Sequence, residues 1–199
     1  MNRAQDTGRR RARCAFSVRV SRALMLCAML ALTLVCKAGG ESPALTEYQV
    51  KALFLLNFTK YVDWPAESLP QAGSPFVIGV LGDEKFGEKV EAIVTGKTIG
   101  GQAIEVRQFA KDDVCTNCQI LFISSAEKKR VVEILAKLKA APILTVGESE
   151  QFTQQGGIIN FTKKDGKVRL EIDLNAARLA KLKLSSKLLS VADSVHGKP

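Results

Sequence analysis

The chain has 199 residues, of which 46% are hydrophobic and 25% are charged, a composition typical of a globular domain and too apolar for intrinsic disorder. Its formal net charge of +9 is uneven: residues 1–38 carry eight Lys or Arg and one acid, whereas the remaining 161 residues carry 21 bases and 19 acids. Because binding to nucleic acid by counterion release needs a concentrated basic face, the nearly neutral body argues against a DNA- or RNA-binding protein.

Residues 1–38 follow the order of a secretory signal peptide. An Arg-rich region over residues 1–22 precedes the uncharged 13-residue run Ala23–Val35, and Cys36-Lys37-Ala38 ends in a small residue suited to cleavage. This run is shorter than the roughly 20 apolar residues that span a bilayer as a helix. We therefore expect a periplasmic mature chain that begins near Gly39 and does not insert into the membrane. An uncleaved N-terminal anchor, a mitochondrial presequence and a lipoprotein signal at Cys36 are the alternatives.

Export leaves two of the five cysteines, Cys115 and Cys118, in a Cys-Thr-Asn-Cys sequence. In an oxidising compartment a disulfide is the default state of such a pair. A thioredoxin-type motif would stand at the start of a helix, but here the strand-like run Gln119–Ile123 follows. Zinc needs four ligands, and the single histidine, His196, lies in the C-terminal tail. We predict a structural or redox-sensing disulfide, no metal site and no cofactor.

The body of the chain predicts alternating helices and strands. In the first half these are a helix Leu45–Lys60 ended by Trp64-Pro65, a strand Phe76–Leu81, a helix from Gly82-Asp83 through Val94, and strands Ala103–Gln108 and Ile120–Ile123. In the second half follow a helix 126–140 opened by a Ser124/Glu127 capping box, a strand Ile143–Val146, a short helix Glu148–Gln154, and a hairpin of Ile158–Thr162 and Lys167–Asp173 around Asp165-Gly166. A helical segment 174–184 and the run 185–193 close the domain. Strands separated by helices indicate a mostly parallel sheet, to which the hairpin adds an antiparallel edge. We expect one α/β domain over residues 45–195, preceded by a short segment 39–44.

The common catalytic motifs are missing from this body. Without a histidine, a Ser-His-Asp or Cys-His nucleophile lacks its usual base. The sequence Gly96-Lys97-Thr98 lacks the first glycine of a P-loop, and Gly79, Gly82 and Gly87 do not have the dinucleotide-binding spacing. Because Gly82 and Asp83 stand where a strand meets the start of a helix, a small anionic ligand at this turn is a separate hypothesis.

Two further pairs of residues are candidates for contact with a partner or ligand. Tyr61 and Trp64 follow the first helix, where they either pack in the core or form an exposed aromatic anchor for a protein partner. Arg169 and Glu171 alternate with the apolar residues of the last predicted long strand. They either belong to a solvated face of the sheet or contact a charged partner or ligand.

Six blocks of the chain resemble the YfiR family of periplasmic proteins in family order: residues 49–65, 76–87, 118–124, 143–161, 168–177 and 182–192. The resemblance implies a Rossmann-like, three-layer α/β domain, often a homodimer, with a disulfide-stabilised and redox-sensitive fold. It also implies a non-enzymatic repressor that binds the periplasmic portion of an inner-membrane diguanylate cyclase, and so regulates cyclic di-GMP signalling and biofilm formation. Many relatives have Cys-His where this chain has Cys118-Gln119, so a redox switch transfers less directly than the fold. A small-molecule-binding sensor and a thiol–disulfide enzyme are the competing functions.

Overall fold

The computed structural model describes residues 45–110, 113, 115 and 117–197. The predicted signal peptide and the segment 39–44 lie outside these residues. The helices are α1 (Glu47–Tyr61), α2 (Glu84–Val94), α3 (Val131–Lys137), α4 (Leu174–Leu179) and α5 (Ser186–Ser190), with 3-10 turns at Ala66–Ser68 and Ser125–Glu127. The strands are β1 (Val62–Asp63), β2 (Phe76–Leu81), β3 (Thr98–Ile99), β4 (Gln102–Phe109), β5 (Ile120–Ile123), β6 (Leu144–Gly147), β7 (Ile159–Lys164), β8 (Lys167–Asp173), β9 (Lys183–Leu184) and β10 (Ser194–His196).

Eight of the strands form one mixed sheet in the order β10-β8-β7-β6-β5-β2-β4-β3. Five neighbouring pairs are parallel: β10 with β8, β7 with β6, β6 with β5, β5 with β2, and β2 with β4. The β7–β8 hairpin and the β3–β4 pair are antiparallel. A separate two-stranded sheet joins β1 to β9. The predicted α/β class, with a mostly parallel sheet and a C-terminal hairpin, is confirmed.

The apolar residues of each central strand divide between the two faces of the sheet. On β2, Phe76, Ile78 and Val80 join a core that also contains buried residues of α1 and α2. Val77 and Leu81 point to the opposite core, which contains the buried face of α3. Helices thus cover both faces, which produces the expected three layers.

Short-range capping sets several element ends. Thr46 and Gln49 form a reciprocal capping box that starts α1. The Asp83 side chain accepts the backbone N–H of Phe86 and starts α2. In the hairpin, Asp165 and Gly166 have φ values of 52° and 71°, the left-handed pair that a tight two-residue turn requires.

Two predicted helices are corrected by the structure. The helix expected over 126–140 is a 3-10 turn followed by the shorter α3. Ser124 Oγ accepts the backbone N–H of Ala126 instead of that of Glu127, so the capping box does not form, and Ala140, with a φ of 65°, lies beyond the end of the helix. The helix expected at Glu148–Gln154 is a series of turns, in which Gln151 has a φ of 60° that an α-helix does not accommodate. The helical segment predicted over 174–184 is likewise too long, since it divides into α4 and β9.

The C-terminal tail alters the edge of the sheet. The hairpin strand β8 is not the edge, because Ser194–His196 pairs with it in parallel from Glu171 to Asp173. Strands of two or three residues carry too little periodicity to be recognised from sequence, which explains why β1, β3, β9 and β10 were missed. Within the part of the chain that the structure describes, no helix is both long and apolar enough to cross a membrane.

Candidate functional site

Polar side chains from three strand ends meet the first turns of α1 at the carboxyl edge of the sheet. Asp83 follows β2, Ser125 follows β5 and Glu148 follows β6. The Tyr48 hydroxyl donates to Asp83 Oδ2 at 2.6 Å, and Lys51 Nζ donates to Glu148 Oε2 at 2.8 Å. These contacts fix the start of α1 at the edge where open α/β sheets commonly bind ligands.

We call the hydrogen-bonded contacts among Glu47, Tyr48, Lys51, Asp83, Ser125 and Glu148 the carboxyl-edge network. Lys51 is at its centre, and it was not identified from the sequence. Its side chain is only 8% exposed, and its ammonium also contacts Glu47 Oε1 at 2.6 Å. Burial alone would lower the pKa of Lys51, but the hydrogen bonds to Glu148 and Glu47 outweigh burial and raise it. Hydrogen bonds from Lys51 and Lys163 lower the pKa of Glu47. A lysine within an otherwise apolar helix face was the signal that could have revealed it.

Glu148 and Tyr48 complete the network. Glu148 Oε1 accepts both the backbone N–H and the hydroxyl of Ser125, at 3.0 and 3.1 Å. The hydrogen bond to Asp83, aided by burial, raises the pKa of Tyr48 to about 12. Every carboxylate oxygen of Glu148 is therefore engaged within the protein, and the network serves to hold α1 on the sheet.

The turn at Gly82 and Asp83 is packed against Ser124 and Glu127 and capped by its own aspartate. Gly82 has a φ of +84°, and a Cβ added there would lie 2.8 Å from Ser124 Oγ and 2.9 Å from Glu127 Cγ. Asp83 Oδ1 accepts the backbone N–H of Phe86 at 2.9 Å. The start of α2 already has a carboxylate of the chain itself as its anion, so the turn is a packing and capping element.

Tyr61 and Trp64 have different environments. Trp64 is 9% exposed, stacks edge-on against Phe76, and donates its indole N–H to the carbonyl of Gln119 at 3.1 Å. It belongs to the core, so the expectation of an exposed anchor is corrected at this position. Tyr61 is half-buried at the C-terminal end of α1. Only Tyr61 keeps the exposed aromatic surface that an anchor requires.

Tyr61 borders a shallow depression between α1 and α5, which we call the Tyr61 groove. The groove has a volume of about 490 Å³ and is lined by Phe54, Asn57, Tyr61, Lys187, Leu188 and Val191. Val191 is 57% exposed. The surface is thus mainly apolar, with a lysine on its rim.

Arg169 and Glu171 are half-buried, not part of a fully solvated face. Glu171 Oε1 lies 3.0 Å from Nε2 of His196 on β10, and its Oε2 accepts the side-chain amide of Asn160 at 3.4 Å. The Arg169 Nε atom is buried and has no hydrogen-bond partner among the described residues. His196 of the neighbouring strand β10 therefore contacts Glu171, and the structure brings neither Arg169 nor Glu171 to the carboxyl-edge network.

The Cys115 and Cys118 sulfurs lie within disulfide distance, with Cα atoms 5.9 Å apart and both residues 3% exposed. The next residue, Gln119, was missed from the sequence. Its Oε1 atom accepts the backbone N–H of Val77 at 2.8 Å, and its side-chain amide donates to the Ser68 carbonyl at 3.2 Å. Since its own carbonyl accepts the Trp64 indole N–H, Gln119 links the cysteine pair to the first half of the domain.

Among the residues that the structure describes, no group of three or more His, Cys, Asp or Glu side chains is arranged to hold a metal ion.

A family model described as YfiR/HmsC-like matches residues 48–193. The chain belongs to the YfiR/HmsC-like family. This family is regulatory rather than catalytic, and it is associated with the periplasm and with diguanylate cyclase signalling. The YfiR/HmsC-like match contains all of the carboxyl-edge network except Glu47.

Two solved structures share the fold of this YfiR/HmsC-like chain. A conserved domain protein from Vibrio cholerae O1 biovar El Tor has a TM-score of 0.54 at 11% identity, covering 76% of this chain and 61% of that one. The ABC domain from Streptococcus pneumonia, in complex with L-Trp, has a TM-score of 0.50 at 9% identity, covering 75% and 60%. The match thus spans about three fifths of each of those chains, and at such identities it shows the fold alone. A comparison with curated proteins found no match.

Proposed function

We propose that the protein is a periplasmic repressor of an inner-membrane diguanylate cyclase and acts by binding the periplasmic portion of that enzyme. The observation that carries the proposal is the YfiR/HmsC-like match over residues 48–193. The signal-peptide pattern of residues 1–38 supports export to the compartment in which that contact takes place. Repression is then a population shift, because preferential binding to the inactive cyclase stabilises it.

We assign the cyclase contact to the Tyr61 groove. Tyrosine is enriched among residues that dominate binding energy, and half-exposed Tyr61 lies beside the 57% exposed Val191. The tyrosine ring supplies apolar area together with a hydroxyl that can hydrogen-bond to a partner. Lys187, on the rim, favours an acidic residue in the partner.

Gene deletion tests the function itself. Cellular cyclic di-GMP should rise on deletion and fall again when the mature domain is returned to the periplasm. The same domain confined to the cytoplasm should not restore repression, since the proposed contact lies on the other side of the membrane. Unchanged cyclic di-GMP, in cells shown to contain the protein and a cyclase with a periplasmic domain, would remove the repressor proposal and favour the small-molecule sensor.

A matched pair of variants tests the surface. Tyr61→Ala should abolish repression while the purified variant, although it loses packing of the half-buried ring against the core, still folds and unfolds cooperatively. Leu69→Ala removes another large exposed side chain, 44% exposed and outside the Tyr61 groove, and should leave repression intact. Equal repression by the two variants would refute the assignment to the Tyr61 groove without touching the result of the deletion experiment.

A further inference from the structure

A second groove crosses the end of the sheet where β7 begins and β8 ends. This α3–α4 groove has a volume of about 350 Å³, and its walls include Val132, Ala136, Ala140, Ile158, Ala176 and Leu179. Small alanine side chains keep its floor open between the two helices. It shares no lining residue with the Tyr61 groove.

The rims of this groove carry the two most exposed large apolar side chains of the described residues. Val132 on α3 is 62% exposed and Leu179 on α4 is 64% exposed. Single exposed aliphatic residues are ordinary, but here two of them flank one concave apolar surface. Such a surface would bury apolar side chains of a partner between the helices.

The groove wall also contains a hydrogen-bond acceptor without a donor. The Oε1 atom of Gln155 is buried, and no described residue donates to it. A buried polar atom left unpaired destabilises the protein, and an N–H or O–H group of an occupant would satisfy it. An occupant that reached this oxygen after a rotation of the Gln155 side chain would have to supply an N–H or O–H donor.

The charges around the groove leave a positive excess. Lys139 lines the groove, Lys181 directly follows lining residue Ala180, and Lys129 precedes Val132 by three residues. These lysines form no ion pair with a described residue. Two acids lie nearby: Glu133 is paired with Lys137 at 2.7 Å, and Asp173, which lines the groove and keeps its negative charge, accepts backbone N–H groups at the start of α4. The three lysines outnumber the one unpaired carboxylate.

We propose that the α3–α4 groove docks an acidic amphipathic segment of a second protein partner. Aliphatic or aromatic side chains of that segment enter between Val132 and Leu179, a donor meets Gln155, and carboxylates face the lysines. A second copy of the chain would bring one basic rim against another. The Arg-rich N-terminal region of this chain carries the wrong charge for the same reason.

Selection from a display library of random dodecapeptides on the mature protein tests this proposal. We expect the enriched peptides to combine Asp or Glu with aromatic or aliphatic residues. Their binding, followed by fluorescence anisotropy, should weaken about tenfold or more in Lys129→Glu/Lys139→Glu/Lys181→Glu, a loss of about 1.4 kcal/mol or more. It should be lost in Ala136→Trp, which fills the groove from an exposed position.

Matched changes on α2 control for charge and bulk. Lys85→Glu/Lys89→Glu and Ala92→Trp alter exposed positions of another helix, so they should leave peptide affinity unchanged. Enriched peptides without an acidic excess, or peptides that bind Ala136→Trp as tightly as the unmodified protein, would overturn the proposal. Sedimentation with phosphatidylglycerol vesicles that disappears on lysine reversal would assign the face to lipid and overturn it as well. None of these readouts depends on cyclic di-GMP, so the repressor proposal stands or falls separately.

Discussion

The buried ion pair between Lys51 and Glu148 offers a quantitative test of how α1 is held on the sheet. Glu148→Gln removes the negative charge that pairs with Lys51 Nζ at 2.8 Å, while Lys51 keeps its contact with Glu47 at 2.6 Å. Removing one partner of a buried ion pair lowers the free energy of unfolding by about 3–5 kcal/mol. Since Glu47 has a 41% exposed side chain and compensates only in part, we expect a loss of about 2–3 kcal/mol.

The companion variant Lys51→Met should lower the free energy of unfolding by less, about 1–2 kcal/mol, because Glu148 keeps its two hydrogen bonds from Ser125. The double variant should then lose less than the sum of the single losses, with a coupling energy of about 1–2 kcal/mol. Urea unfolding of the mature chain at neutral pH measures all three values. A coupling energy below about 0.5 kcal/mol would refute the ion pair as the element that holds α1.

The difference in unfolding free energy between the unmodified protein and Lys51→Met should depend on pH, and this dependence is an independent check of the ion pair. The pKa of Glu47 is lowered in the folded state, so its contribution is present above the ordinary value of 4.5 and is lost as the pH falls through the folded value. The pKa of Lys51 is raised, so its contribution is complete below the ordinary value of 10.5 and is lost as the pH rises through the folded value. The stability gap between unmodified protein and Lys51→Met should therefore narrow at both extremes of pH.

Four further outcomes are expected. Trp64→Ala should cost about 3–5 kcal/mol in urea unfolding, because it empties a core position and leaves the Gln119 carbonyl without its indole donor. Gly82→Ala should cost about 2 kcal/mol or more, since it combines a left-handed backbone with a close contact to Ser124; full stability would contradict the tight packing at this turn. Cys115→Ser should cost about 2 kcal/mol or less, and two free thiols found by alkylation and mass spectrometry of native protein would refute the disulfide. Protein recovered from cells should begin near Gly39 and fractionate with the periplasm, whereas an intact N-terminus in inner membrane would indicate an anchored regulator.

The local pattern of the chain was enough for the central elements. The run Phe76–Leu81 is a strand with those bounds because it is uninterrupted and apolar, as a strand buried on both faces must be. The bounds of α2 and of the β7–β8 turn were also predictable, since the Asp83 cap and the Asp165-Gly166 turn act within a few residues. Helix 126–140 was wrong in extent because Ser124 caps a 3-10 turn at Ala126, and because Ala140 adopts a left-handed backbone that an α-helix does not continue through.

Sequence by itself determined the α/β class, the export pattern and the family resemblance, because each depends on composition, periodicity or the order of local motifs. Only the tertiary structure decided which candidate side chains are available for function. It buried Trp64, left Tyr61 half-exposed beside α5, and joined Lys51 to a glutamate 97 positions further along the chain. Periodicity identifies the face on which a residue lies but not the distant residue packed against it, so contacts of this range arise only when the sheet and helices assemble.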